Sequence, residues 1–368
     1  MKIGITFGGY IPLHQGHMDL IMRAKKENDM AFVVVCGYEN EPRAKQLGID
    51  FFTKTKLIKE YLEDDILKVI GIYDTDLGID ESMSDSNWAI WSKAIFEKIF
   101  DKEYHIDKNK DITFTFYVAE ERYVRPIREI VKNVDNQHDI KVVYVDRNNN
   151  KISGTLCRQN PIKYWNKIAK PFRGYLTHKI LIAGTASEGK TTLIKDIAKY
   201  YSLVYSYEKG RDNCKIKPDN MFDGKDFVYN IYEQNKYNNS LIFGSENSGI
   251  FISDTDNIVT LMYAYMYSKK ENFALTQEEY DTIYNLVKIY RDSNNWNKIF
   301  LLAPHEKPIV DDGERYMGDS DYEIRKEYFE VLKSLYDKFG YQYEILSGNY
   351  YENYLRIKQY IGELYDKD

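Results

Sequence analysis

KILIAGTASEGKTT, residues 179–192, decides how the second half of the chain folds. Its opening ILIA (180–183) is a short apolar run of the kind that fills a parallel sheet buried on both faces. Gly184 to Thr191 then fit G-x-x-x-x-G-K-[ST], a loop that has to follow a strand and open a helix. The glycines let the backbone curl until successive N–H groups converge on phosphate oxygens. The helix N-terminus adds its positive end. Lys190 reaches the outer phosphates, and Thr191 offers a hydroxyl to Mg²⁺. Gly184, Glu188, Gly189, Lys190, Thr191 and Thr192 are therefore the expected ATP contacts of a P-loop kinase, with Lys190 catalytic.

Outward from that loop the pattern alternates. Downstream, Lys190–Tyr201 reads as a helix, Ile250–Ser253 as a strand with helical patterns following through Tyr290, and Ile299–Leu302 as a strand. Tyr322–Phe339 reads as a long helix, Tyr343–Leu346 as a strand and Tyr351–Tyr365 as a last helix. Upstream, the strands are Ile3–Phe7, Ala31–Cys36, Val69–Tyr73, Ile112–Val118 and Ile140–Val145. Between them fall helical patterns at Phe51–Leu62, Asn87–Phe100 and Val124–Val134. Asn160–Pro161 looks like a helix start, a cap residue followed by proline. Pro171, Gly174 and His178 then break the pattern. The expectation is α/β: two doubly wound parallel-sheet domains, a Rossmann-like nucleotidyltransferase at 1–170 followed by a P-loop kinase at 171–368.

The bulk numbers agree with that scale. A chain of 368 residues suits two or three domains, and 43% hydrophobic with 29% charged residues is ordinary for a soluble globular protein. No apolar run approaches the roughly 20 residues that span a bilayer. The N-terminus enters a strand-like segment without a signal-peptide pattern, so a cytoplasmic location is expected. Cys36, Cys157 and Cys214 lie far apart and read as reduced thiols. A net charge of -6 argues against a broad nucleic-acid surface. No membrane partner is expected either, and a homo-oligomer stays open.

A kinase also needs a carboxylate for magnesium at the end of a neighbouring strand. Asp254 and Asp256 stand there. One would hold the metal with Thr191, and the other could orient or deprotonate the acceptor hydroxyl. An aspartate in that place suits a helix N-cap equally well. A cation over the transferring group is expected on a lid at Pro304–Asp321, where Arg315 is the candidate.

The second local signal is HQGH, residues 14–17, directly after the first strand. Histidines three apart share a helix face, and Gly16 allows close backbone approach. With the helix N-terminus, His14 and His17 could stabilise charge growing on a polyphosphate. ISGTLCR (152–158) supplies two hydroxyls and an arginine that can fork onto phosphate oxygens. Trp88 and Trp91 could stack on an aromatic base, or could simply pack in the core.

G-x-x-x-P-x-H-x-G-H over Gly8–His17, followed by I-S-x-T-x-x-R over Ile152–Arg158, resembles the nucleotidyltransferase superfamily. With a P-loop domain behind it, the whole chain resembles the bifunctional NadR-type family of nicotinamide-nucleotide adenylyltransferase and ribosylnicotinamide kinase. NWAIWS (87–92), YSYEKGR (205–211), ISDTD (252–256) and IVDDGER (309–315) carry further likeness. The resemblance implies ATP as co-substrate with Mg²⁺, and nicotinamide riboside, nicotinamide mononucleotide and NAD as partners. It implies that Phe7, Gly8, His14, His17, Ser153, Thr155 and Arg158 hold ATP at the first site, with His14, His17 and Arg158 catalytic. Trp88, Trp91, Glu208 and Arg211 would bind substrate. Some members carry an N-terminal helix-turn-helix domain. Here the first strand starts at Lys2, so none is expected. The alternative is a nucleoside kinase whose first domain only senses NAD or ATP.

Overall fold

A computed structural model describes residues 1–79, 84–146, 152–291, 295–306 and 321–366. The chain divides into two units, Met1–Leu176 and Thr177–Asp368. Each is built on its own five-stranded sheet, and every pairing within both sheets is parallel.

In the first unit the strands are β1 (Lys2–Gly8), β2 (Met30–Gly37), β3 (Leu67–Tyr73), β4 (Thr113–Val118) and β5 (Asp139–Tyr144), in the order β3-β2-β1-β4-β5. The run AFVVVC explains why β2 sits inside. Ala31, Val33 and Val35 face one apolar core, and Phe32 and Val34 face the other. A strand buried on both sides has no polar face to alternate with. Helices α1 (Gln15–Glu27), α2 (Pro42–Leu47) and α3 (Phe51–Leu62) contribute Ile21, Ala24, Ala44, Leu47, Ile58 and Leu62 to the first core. Helix α4 (Asp85–Ile99) and the helical stretch 124–134 contribute Trp88, Ile95, Ile127 and Val131 to the second. The chain builds β2 and β3 on one side of β1, then returns to build β4 and β5 on the other. The crevice at that reversal is where an open α/β sheet binds its ligand.

Asn160 does not begin a helix. The helix there is α5 (Gly154–Gln159), capped by the Ser153 side chain, which accepts from Leu156 N at 3.2 Å, and Asn160 is the C-cap that follows it. Ser153, seven residues upstream, caps the helix that does form, and Pro161 follows that helix; Asn160 Oδ1 accepts from Lys163 N at 3.3 Å, but only a turn forms there. The segment 171–176 packs with the first unit, since Phe172 and Leu176 belong to its core.

The second unit has β6 (His178–Gly184), β7 (Val204–Ser206), β8 (Ile250–Ser253), β9 (Lys298–Leu302) and β10 (Glu344–Leu346), in the order β10-β9-β6-β8-β7. Again the first strand is central and its successors fall on both sides. Helices α6 (Lys190–Tyr201), α7 (Gly224–Ile242), α8 (Asn257–Ser268), α9 (Gln277–Tyr290), α10 (Tyr322–Lys338) and α11 (Tyr350–Tyr365) complete it. Leu181, Ala183, Ile299 and Leu301 share one core with α7 to α10. Strand β7 and helix α7 have no counterpart in the sequence reading. The strand is three residues long, and the polar stripe of the helix hides its period. Among the described residues no helix is long and apolar enough to cross a membrane.

Phe172 is fully buried. Phe172→Ala should lower the unfolding free energy of the first unit by about 3–5 kcal/mol, read by calorimetry as a downshift of one transition. An unmoved thermogram would remove this segment from the first core.

Candidate active sites

At the end of β1 the chain turns through residues 9–13 into α1. His14 takes the N-cap position in an extended conformation. The rings of His14 and His17 stack, with centroids 3.7 Å apart and planes 24° apart, and Tyr10 meets His17 edge-on at 5.0 Å. Tyr10 donates to Thr6 Oγ1 at 3.3 Å, and burial holds its phenol well above the ordinary range. Helix α5 docks onto this turn. Arg158 donates through Nη1 to the carbonyl of Ile11 at 2.5 Å, and through Nη2 to Thr155 Oγ1 at 3.3 Å. One guanidinium thus joins two motifs that lie 147 residues apart.

The result is a cavity of about 390 Å³ lined by Phe7, Gly8, His14, His17, Ser153, Thr155 and Arg158. All seven residues expected at an ATP site are brought together. Tyr117 and Val118 at the end of β4 close the opposite wall, which places the cavity at the strand reversal. Arg43, Arg122 and Tyr123 also line it and were missed. Nothing local marks them, because each arrives from a loop or short helix with no motif. Burial first, and the Arg43 guanidinium second, hold the Arg158 pKa below its ordinary value. Two like charges aimed at one space favour an anion between them.

Trp88 and Trp91 are 1% and 4% exposed and lie in the second core. Neither is in the cavity wall. Phe7, which does line it, packs against both, at 5.8 and 4.9 Å, and against Tyr123 at 5.2 Å. Phe7 and Tyr123 are among the aromatic residues that line the cavity, and the tryptophans pack against them from outside its lining.

In the second unit Gly189 stands at φ +77°, a left-handed backbone that glycine adopts freely, and starts α6. Lys190 is buried and donates to the Thr185 carbonyl at 2.6 Å. Thr191 donates its hydroxyl to Asp254 Oδ2. Asp254 is 1% exposed, and its Oδ1 is buried with no hydrogen-bond partner among the described residues. Burial pushes its carboxyl up, Thr191 partly offsets this, and Glu208 adds to the rise. An orphaned carboxylate oxygen beside a threonine hydroxyl is a fit for a hard cation.

Asp256 does not join this group. Its side chain accepts from Ile258 N and Val259 N, both at 3.0 Å, and from the Tyr336 hydroxyl at 2.9 Å, so it is the N-cap of α8. Burial pushes its carboxyl up to about 6. Glu188 likewise turns away from the phosphate side of its loop. Its fully buried carboxylate accepts from Arg325 Nη1 at 2.6 Å, Thr185 Oγ1 at 3.2 Å and His305 N at 3.3 Å. Any contact between Glu188 and a nucleotide would therefore run through its backbone. Arg325 carried no sequence signal, since it pairs with a residue 137 positions away.

Glu208 and Arg211 form an ion pair at 3.4 Å near enough to Asp254 to bear on its titration. Behind them the Ser206, Gln234 and Asn238 side chains hydrogen-bond one another, and Gln234 Oε1 accepts from Lys209 N at 2.8 Å. Arg315 and the rest of 307–320 lie outside the described residues.

Comparison with known proteins follows this division. Residues 5–160 match a cytidylyltransferase-like family model, and residues 179–353 match an AAA domain model. The trifunctional NAD biosynthesis/regulator protein NadR of Escherichia coli K12 is 24% identical over 378 residues, covering 98% of this chain and 83% of the relative. The protein of the same name from Salmonella typhimurium is 25% identical over 381 residues, covering 99% and 83%. A crystal structure of NadR in complex with NR superposes with a TM-score of 0.82 at 27% identity, covering 98% of this chain and 96% of that one. A NadR complex with NAD and AMP-PNP gives 0.81 at 26%, with the same coverage. The chain is a homologue of the NadR proteins. The similarity runs through both units, the cytidylyltransferase-like one and the P-loop one behind it.

The buried Glu188–Arg325 pair makes a stability prediction. Arg325→Met leaves a carboxylate buried and uncompensated, and should cost about 3–5 kcal/mol in the second unit. Combining it with Glu188→Gln should restore most of that loss in a denaturant titration. A double variant as unstable as the single one would mean that the pair is incidental.

Proposed function

We propose that the chain is a two-site enzyme of NAD synthesis. The second unit would phosphorylate the 5′-hydroxyl of nicotinamide riboside with ATP, giving nicotinamide mononucleotide and ADP. The first would join that mononucleotide to the AMP moiety of ATP, giving NAD and pyrophosphate. The observation that carries the proposal is that each sheet has its own phosphate-type loop after its central strand, with His14, His17, Arg43 and Arg158 around one cavity and Lys190, Thr191 and Asp254 gathered at the other. The NadR relatives and the complexes with NR, NAD and AMP-PNP support the choice of ligands.

At the first site an oxygen of the mononucleotide phosphate attacks the α-phosphorus of ATP in line, and the bond to the bridging oxygen of the pyrophosphate breaks. No proton has to be abstracted from a phosphate already ionised. The residues' task is therefore to hold and neutralise charge. His14, His17 and Arg158 would grip the departing pyrophosphate, and Ser153 and Thr155 would donate hydroxyls. Arg43 would bind a phosphate from the facing wall, as its place in the cavity suggests.

At the second site Lys190 would follow the transferring phosphoryl group. Magnesium, when bound by Asp254 and Thr191, would neutralise charge on the outer phosphates. With Asp256 occupied as a cap, Glu208 becomes the carboxylate available to orient the acceptor hydroxyl, and Arg211 would steady it.

Lys190→Ala should lower mononucleotide formation by roughly 10²–10³-fold while sparing NAD formation from supplied mononucleotide. His17→Ala should do the reverse. Product masses from ATP and Mg²⁺ with nicotinamide riboside, and in a separate reaction with nicotinamide mononucleotide, decide it. If either change silences both reactions in a folded protein, the two-site assignment fails. A first unit that binds ATP but releases no pyrophosphate is a sensor.

Asp254→Asn should abolish phosphoryl transfer yet raise the melting temperature of the unliganded second unit. The sign follows from burial. Because the folded carboxyl titrates above its unfolded value, the ionised form costs stability above the folded pKa, and that cost vanishes below the unfolded one. The variant's advantage should therefore be largest at neutral pH and fade toward pH 4. A lower melting temperature at pH 7 would contradict the reading of Asp254 as a strained, metal-facing carboxylate.

A further inference from the structure

Beneath the first cavity lies a line of charge that the proposed chemistry leaves unused. Lys54 on α3 is 1% exposed. Its ammonium donates to the Cys36 carbonyl near the end of β2 at 2.7 Å and stands 3.5 Å from Glu41 Oε2. Glu41, 3% exposed, immediately precedes α2, and its Oε1 accepts from Arg43 Nη2. Arg43 is 50% exposed and lines the cavity with His17 and Arg158. The line therefore runs from a buried amine, through a buried carboxylate, to a guanidinium at the ligand surface.

Two glycines leave the space it occupies. A Cβ on Gly9 would stand 3.2 Å from Arg43 Nη2 and 3.6 Å from Glu41 Oε1. A Cβ on Gly37 would stand 3.1 Å from Lys54 Nζ, 3.6 Å from Glu41 Oε2 and 2.8 Å from the Phe51 ring. The first lies in the loop after β1, and the second ends β2. Both belong to the carboxyl edge that forms the cavity.

A buried ion pair is a poor source of stability, because desolvation offsets most of the attraction. Its use is to fix geometry. Arg43 needs such fixing. It sits on a short helix and carries a long side chain, and its charge raises the cost of keeping Arg158 protonated. Left to itself that guanidinium would turn toward water. Glu41 holds it back, and Lys54 keeps Glu41 from being an unpaired buried charge.

We propose that Glu41, held in turn by Lys54, is a positioning residue that aims the Arg43 guanidinium into the first cavity, where Arg43 grips a phosphate opposite Arg158. This inference rests on the adenylyltransferase reading above.

The test is pyrophosphate release from ATP and nicotinamide mononucleotide by the full chain, as wild type, Glu41→Gln, Arg43→Ala and the double variant. Glu41→Gln should raise a nucleotide KM roughly tenfold, the loss of one charge-assisted contact, and leave kcat within about twofold. Arg43→Ala should raise the same KM at least as much. The double variant should be no worse than Arg43→Ala alone, since Glu41 acts only through Arg43. Multiplying effects, or an unchanged KM in Glu41→Gln, would overturn the proposal. If Glu41→Gln unfolds, Glu41→Gln with Lys54→Met removes both buried charges and is held to the same two criteria. A wild type that releases no pyrophosphate would overturn the adenylyltransferase reading, and this inference with it. An active wild type with independent losses would overturn this inference alone.

Discussion

The placing of the first strand of each unit at the centre of its sheet governs everything else in this molecule. Once β1 and β6 are flanked on both sides by later strands, the loops that leave them open into a crevice. Each loop runs at once into a helix, so N–H groups without helical partners face that crevice from its floor. A polyphosphate answers both needs, electrostatic and hydrogen-bonding. The rest of each unit supplies cations to its rim. Arg158 reaches the rim of the first by docking onto the Ile11 carbonyl, and Lys190 reaches the second from within the loop itself.

Four acidic side chains show how differently a buried carboxylate can be accommodated near such a site. Asp256 is satisfied by two backbone N–H groups and a phenol, and becomes a helix cap. Glu188 is cancelled by a buried arginine. Glu41 is shared between Lys54 and Arg43. Asp254 has one oxygen bonded to a hydroxyl beside the phosphate loop and the other buried with no hydrogen-bond partner among the described residues. That difference separates residues that shape a frame from one suited to a cation, and it cannot be seen in the string DTD.

Legibility in the sequence followed the range of the interactions. The buried strands were plain because AFVVVC and ILIA state their environment in six and four residues. The two phosphate loops were plain because their chemistry is local. What failed was local too: Asn160–Pro161 has the form of a helix start, and Asn160 Oδ1 does accept from Lys163 N, but the chain makes only a turn there. What stayed invisible was tertiary. The Glu188–Arg325 and Glu41–Lys54 pairs join residues 137 and 13 positions apart, with no motif to announce either. The tryptophans illustrate the middle case. Their helical spacing allowed either a ligand face or a core, and tight contacts with Phe7 give them to the core.

The fastening of Glu188 has a consequence for how a change spreads through this domain. Arg325 donates to Glu188 and also to the carbonyl of His305, while the amide of His305 donates to Glu188. The chain is thereby stitched together on either side of residues 307–320, at a knot that includes the phosphate loop. A change at Glu188, His305 or Arg325 would therefore be felt together in the loop ahead of α6 and in the first turn of α10, although the three residues belong to different parts of the chain.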